Sequence, residues 1–285
     1  MTPLAVALVL AAAFLHAFWN LHAKRAGGSI AFIWLMLCGS VLLYVPVAIV
    51  TWALIHPRFV PIDWLFICGT AVLHVVYFLL LQGGYRIGDL SVVYPLSRGT
   101  GPLLTALVAT AFLGERPAVL GWLGIVLVLS GIIVFAGDSR RLAGAHGTSV
   151  AYAVATGALI AAYTLWDRHA VNTLALSPIV YDFLGNTGRA LLLAPLAMAR
   201  RGEIVFEYRE HLREIVIVAA LSPLAYLMVL FAMRIAPVSY VAPAREVSIV
   251  IGALLGVRML AEPDSRRRIV AAVAIVGGIV AIAVA

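Results

Sequence analysis

Trp19-Asn20-Leu21-His22-Ala23 returns 147 residues later as Trp166-Asp167-Arg168-His169-Ala170. At the same offset Arg98 meets Arg245, Ala106-Leu107 meets Ala253-Leu254, Leu113 and Glu115 meet Leu260 and Glu262, and Gly131-Ile132 meets Gly278-Ile279. Arg86-Ile87, Ser91 and Pro95 meet Arg234-Ile235, Ser239 and Pro243 at an offset of 148, so a one-residue insertion before Arg234 and a deletion after Pro243 reconcile the registers. The chain is a duplication, and most of what is duplicated is apolar. Two related apolar halves are the sequence signature of a membrane transporter built from internal repeats.

Composition agrees. The chain is 64% hydrophobic and 12% charged, with a mean hydropathy of +1.06, whereas soluble domains carry about 25% charged residues. Apolar runs of roughly 18–25 residues suffice to cross a bilayer core of about 30 Å as helices. Ten are expected, near 3–21, 29–54, 61–82, 90–113, 118–136, 149–167, 174–199, 213–233, 236–260 and 269–285. The connections are short, and the longest polar stretch, Arg200 to Glu214, reads as a loop. No segment is large enough for a soluble domain, so the activity sits in the membrane. A soluble bundle would show amphipathic stripes, and these helices are apolar on all sides. The first run is not a cleaved signal, since no basic residue precedes it and nine more spans follow.

Ten spans divide into two sets of five, residues 1–145 and 146–285. Five is odd, so the second set starts on the opposite side of the membrane. The expected fold class is an all-α membrane protein of ten transmembrane helices, arranged as two inverted five-helix repeats around a central cavity. The net charge of +7 does not point to nucleic acid, because the basic residues lie mostly beside helix ends where phospholipid headgroups meet them. Cys38 and Cys68 both lie in apolar runs and support neither a disulfide framework nor a thiolate metal cluster. No metal, cofactor or catalytic residue is expected: the metalloprotease, nucleophile-elbow and phosphate-loop patterns are all missing from the sequence.

Interrupted helices point to the binding site. The fourth span opens Tyr94-Pro95-Leu96-Ser97-Arg98 and the ninth opens Pro237-Val238-Ser239-Tyr240-Val241-Ala242-Pro243-Ala244-Arg245-Glu246. Proline removes a backbone donor and frees a carbonyl, which at membrane depth is tolerated where protein or a water-filled cavity satisfies it. Pro95 and Pro243 are the expected hinges. Arg98, Asp182, Arg189, Arg245 and Glu246 fall inside spans, and intramembrane charges face the bundle interior. Arg98 and Arg245 suit an anionic group such as a carboxylate, which a guanidinium binds through two parallel hydrogen bonds; pairing of Arg98 with Glu246, or of Asp182 with an arginine, is the structural alternative. Only Asp182 and Glu246 read as buried carboxylates.

Rings with polar tips form a second constellation: His16 and Trp19, His74 and Tyr77, Tyr94, Tyr163 and Trp166, and Tyr226. They suit a ligand that is partly apolar and partly polar. For Trp19 and Trp166 an interfacial aromatic belt is the alternative; for His74 and Tyr77 it is interhelical hydrogen bonding.

The proline-bearing fourth span, the tryptophan near the end of the first, and Leu113-Gly114-Glu115-Arg116-Pro117 with Gly121 and Ser130-Gly131, echoed by Leu260-Ala261-Glu262-Pro263 and Gly277-Gly278, resemble the EamA family of the drug/metabolite transporter superfamily over essentially the whole chain. The resemblance implies a secondary transporter of the cytoplasmic (inner) membrane that exports small metabolites by alternating access, with helices 1, 3, 4, 6, 8 and 9 around a cavity. Within the family, His74, Tyr77 and Tyr94 resemble the YddG-like amino-acid exporters. Small multidrug pumps of the superfamily exchange protons on a glutamate in the first helix; helix 1 here has no acid, and His16 or His74 is left as a titrating group. The alternatives are an exporter of cationic compounds, nucleobases or sugars, an intramembrane lipid-modifying enzyme, and a non-catalytic membrane partner. The expected partners are a small-molecule substrate and membrane lipids, and the short loops are compatible with a monomer. Orientation is open. Loops after odd-numbered helices hold most of the lysine and arginine, which puts both termini outside, whereas the family pattern puts them in the cytoplasm.

Overall fold

The computed structural model describes residues 1–87, 90–136, 147–252 and 266–285, and every element in them is helical. The first set of helices is α1 (Pro3–Arg25), α2 (Ile30–Ile55), α3 (Pro61–Ile87), α4 (Leu90–Phe112) and α5 (Val119–Ala136). The second is α6 (Gly147–Arg168, prolonged by a π turn, His169–Thr173), α7 (Pro178–Met198), α8 (Arg201–Glu210), α9 (Leu212–Ile235), α10 (Val238–Ala244) and α11 (Arg266–Val284). Residues 247–252 are also helical.

Local chemistry sets the boundaries. Thr2 and Ser29 cap α1 and α2 by accepting hydrogen bonds from Ala5 N–H (3.2 Å) and Phe32 N–H (3.0 Å). The α1–α2 turn needs Gly27 and Gly28, both with positive φ. Ala175, which stands 147 residues after Gly28, holds the same left-handed backbone at φ 56°.

Two expectations are corrected. Arg200–Glu214 is not a loop, since its middle is α8. Glu207 there accepts from Ser29 Oγ at 2.6 Å and meets His211 Nδ1 at 2.8 Å, which ties α8 to the α1–α2 turn. The matching helix breaks occur in one half only. The ninth run breaks just after Pro243, where tight bonds run from Glu246 N–H to Pro243 O (3.0 Å) and from Ile249 N–H to Glu246 O (2.9 Å). α4 is one helix through Pro95, its sixth residue, where the proline removes one intrahelical donor without ending the helix.

Among the described residues five helices are long and apolar enough to cross a membrane: Pro3–Arg25, Ile30–Ile55, Pro61–Gly84, Gly147–Thr173 and Leu212–Ile235. Val119–Val134 and Ile269–Val284 are shorter apolar stretches. α7 carries Asp182, Asn186 and Arg189, which turn inward. The outer surface is apolar, with Leu42, Leu54, Phe112, Val119, Leu191 and Val273 exposed.

The packing is reciprocal between the halves. α1 lies on α9 as α6 lies on α3, α2 touches α9 as α7 touches α3, and α2 pairs with its own counterpart α7, as α5 does with α11. The last pair meets through small residues. A Cβ on Gly124 would lie 2.6 Å from Gly278 O, and one on Gly131 would lie 2.9 Å from Ala271 O. Both pairs approach backbone to backbone, and the two helices run antiparallel.

Glu115 shows what the Leu113–Pro117 motif does. Gly114, with φ 69°, turns the chain out of α4. The Glu115 carboxylate then accepts from Val238 N–H and Ser239 N–H, both at 3.0 Å. An anion thus sits at the positive end of α10 and satisfies two donors the helix leaves open. Tyr240 returns the tie by accepting from Ala118 N–H at 3.0 Å.

Candidate functional site

A cavity of about 320 Å³ lies between α1, α2, α3, α4, α6, α7, α9 and the break after α10, and it reaches the face of the α1–α2 turn, where Ala23 and Gly28 line it. Of the residues singled out from sequence, His16, Trp19, His74, Tyr77, Arg98, Tyr163, Tyr226 and Arg245 line this one space. The Tyr94 and Pro95 side chains lie outside the described set. Pro243 is buried at the end of α10.

Trp166 is placed elsewhere. Its indole stacks on Phe66 (ring centroids 4.3 Å apart), donates to Phe66 O at 2.9 Å and fills the space over Gly69. It therefore seals the α3–α6 interface, while its repeat partner Trp19 stands edge-on to His16 on the cavity wall (4.8 Å). Equivalent positions in the two halves are in different states, one open and one packed.

The rings form a continuous wall. Tyr163 lies 4.2 Å from His74 and 5.5 Å from Tyr77, centroid to centroid, and Tyr226 stands perpendicular to His74 at 5.5 Å. His74 Nδ1 is 2.9 Å from Thr70 O, an atom that can only accept. Nδ1 therefore carries a proton, and in the neutral ring Nε2 keeps the lone pair.

The two arginines differ. Arg98 Nε pairs with Glu246 Oε2 at 2.9 Å, and Arg98 Nη2 is 3.5 Å from Ser248 Oγ. Arg245 is 7% exposed, and among the described residues its Nε has no hydrogen-bond partner. Trp19 Nε1 is in the same condition. Along another wall Asp182 is held by Asn186 (2.9 Å) and Arg189 (3.4 Å). A buried carboxylate without such partners would be costly. Among the described residues, Asp182 offsets Arg189 and Glu246 offsets Arg98, which leaves Arg245 as the cation on the cavity wall that favours an anionic group.

Asp63, Asp167 and Glu207 are buried acids that the sequence did not single out, and Asp167 is the one behind the cavity wall. Asp167 is fully buried behind the cavity wall, where it accepts hydroxyl bonds from Tyr181 (2.6 Å) and from Tyr226. It looks like the end of a span in the sequence, beside Arg168. The π turn that follows continues the helix past it and keeps it at depth. The signal available in the sequence was the exchange of Asn20 for an acid at its repeat partner.

A solved crystal structure superposes with a TM-score of 0.75 over 97% of this chain and 95% of its own, at 17% identity. At that identity the likeness is one of fold. No curated protein matches the sequence. The model of the EamA-like transporter family matches twice, over residues 3–137 and 147–284. Two family repeats covering nearly the whole chain, on a bundle with an apolar exterior and a charged interior, make this an integral multi-pass membrane protein that belongs to the EamA-like transporter family.

Proposed function

We propose that this protein is a secondary exporter of amino acids, aromatic ones included, working by alternating access in the cytoplasmic membrane. The observation that carries the reading is Arg245, a buried guanidinium with an unpartnered Nε among the described residues, set beside a wall of His74, Tyr163 and Tyr226. Arg245 takes the carboxylate, and the rings take an apolar or aromatic side chain. Arg98 is committed to Glu246 and shapes the site without being its anion receptor. A cavity of about 320 Å³ fits the small end of known ligand sites, roughly 300–1,000 Å³.

Ten spans in an inverted arrangement complete the proposal. Antiparallel packing of the repeat partners α5 and α11 is what an axis in the membrane plane requires, and the reciprocal contacts of the other helices support it. Trp19 at an open wall and Trp166 at a sealed one are the two ends of such a cycle, with Pro95 and Pro243 as hinges. The chain works as a monomer in this reading, surrounded by lipid.

The test is flux from liposomes that carry the purified protein and a panel of labelled amino acids, cationic drugs, nucleobases and sugars. Release of aromatic and aliphatic amino acids above empty-liposome controls is expected. Release confined to cations, nucleobases or sugars, from folded and inserted protein, would overturn the assignment.

A further inference from the structure

We propose that Asp167 is a proton-binding site, and that Tyr226 makes its proton and the ammonium group of the substrate compete. The proton site rests on Asp167 itself; the competition rests on the amino-acid reading above.

Asp167 is 0% exposed; Tyr226, which lines the cavity, donates its hydroxyl to Asp167 Oδ2, and Thr70, hydrogen-bonded to Asp167 and 3.2 Å from Nδ1 of the cavity residue His74, is a second contact. Its second oxygen accepts from Tyr181, whose hydroxyl also lies 3.3 Å from Phe66 O. α3 brings Thr70 and His74, α7 brings Tyr181, Asp182 and Arg189, and α9 brings Tyr226. On α6 itself Tyr163 faces His74, while Arg168 turns away to Glu115 at 3.6 Å. α4 packs along α6, and Arg245 lies near enough to influence Tyr226 from the break after α10. No cation pairs directly with Asp167 among the described residues: Arg189 is bonded to Asp182 and Asn186.

Protonation balances along this path. A proton from the cavity bonds to Tyr226 Oη as the tyrosine passes its own proton to Asp167 Oδ2. Tyr226 stays neutral and Asp167 gains one proton. The new Asp167 O–H then donates to Tyr226 Oη, and the tyrosine O–H turns to the cavity. Tyr181 keeps a partner in either state because Phe66 O is within reach.

The cavity thus presents two faces. With Asp167 ionised, Tyr226 offers it an oxygen lone pair, which accepts from an ammonium group. With Asp167 protonated, Tyr226 offers a donor, which an ammonium cannot use. Substrate binding therefore expels the proton, and proton binding expels the substrate. That is the linkage an exporter needs to run on an inward proton gradient.

The probe is L-phenylalanine added to the purified protein in weakly buffered detergent solution with a pH indicator. Wild type should release protons on binding, with an affinity that falls in acid. Asp167→Asn, which has no proton to exchange, should bind without pH dependence and without proton release. Unchanged proton release in a monodisperse Asp167→Asn protein overturns the proposal. If phenylalanine does not bind wild type, the amino-acid reading falls, and infrared titration decides the proton site alone. A protonated-carboxyl band that disappears on raising the pH, and that the asparagine variant lacks, supports it; no such band overturns it. Should Asp167→Asn not fold, Tyr181→Phe serves. It leaves the relay intact and should displace the midpoint of the same band and of proton release, and a midpoint identical to wild type counts against the proposal.

Discussion

Arg98 and Arg245 occupy equivalent positions in the two halves and differ in what holds them. Glu246 follows Arg245 in the chain yet pairs with Arg98 at 2.9 Å, because the break after Pro243 turns Glu246 towards α4. Neutralising Arg98 strands a buried carboxylate, which is destabilising by about 3–5 kcal/mol, whereas Arg245 holds no carboxylate in a direct ion pair among the described residues. Arg98→Gln is expected to lower the yield of folded protein. Arg245→Gln should fold and lose binding of amino acids by roughly ten- to a hundredfold, the worth of a charge-assisted hydrogen bond. Size-exclusion profiles read beside binding isotherms check the pair. If Arg245→Gln binds as wild type does, the carboxylate site is wrong. Trp166 makes a similar point: the repeat gave it the role of Trp19, and packing against Phe66 and Gly69 gave it another.

Among the elements, α10 depends most visibly on residues distant in sequence. Its first two free donors, Val238 N–H and Ser239 N–H, end on the Glu115 carboxylate. Glu115→Gln keeps one acceptor oxygen and turns an amide donor on the other N–H, which leaves that donor buried without a partner. The expected cost is about 1–3 kcal/mol, read as a lower thermal midpoint in detergent. The opposite change is available at the α6–α7 connection. Ala175 is held at φ 56°, where the equivalent Gly28 has no Cβ to crowd its carbonyl. Ala175→Gly removes a penalty of roughly 1–2 kcal/mol, offset in part by the freer unfolded chain, so the midpoint should rise. No rise would mean that the strain is absorbed elsewhere in the turn.

At the scale of the molecule the decisive question is the relation between the halves. The α1–α2 turn shares a face with α8, through Ser29 and Glu207. The α6–α7 connection lines a depression of about 460 Å³ with Arg58 and Asp63, at the far end of α2. Equivalent turns therefore lie on opposite faces. Single cysteines at Gly28 and Ala175, in a background without Cys38 and Cys68, should react with a membrane-impermeant maleimide from opposite sides of sealed vesicles. Labelling from the same side would refute the inverted arrangement. The side on which residue 28 reacts also decides between the orientation the loop charges favour and that of the family pattern.

The sequence by itself determined the architecture: apolar runs long enough to span a bilayer, and a repeat dense enough to divide the chain in two. It also reached the charged residues and the polar-tipped rings of the cavity wall, because such residues inside apolar helices have few places to go but inward. It missed α8, whose polar composition carries no span signal and which is held by Ser29 and by His211 at its own end. It missed Asp167 as well, since depth at the end of a helix depends on the π turn beyond it and not on composition. Only the tertiary structure decided which arginine is committed, which tryptophan is sealed, and which tyrosine joins the buried acid to the cavity. A duplication makes the two halves alike in sequence, whereas the fold packs equivalent positions against different neighbours.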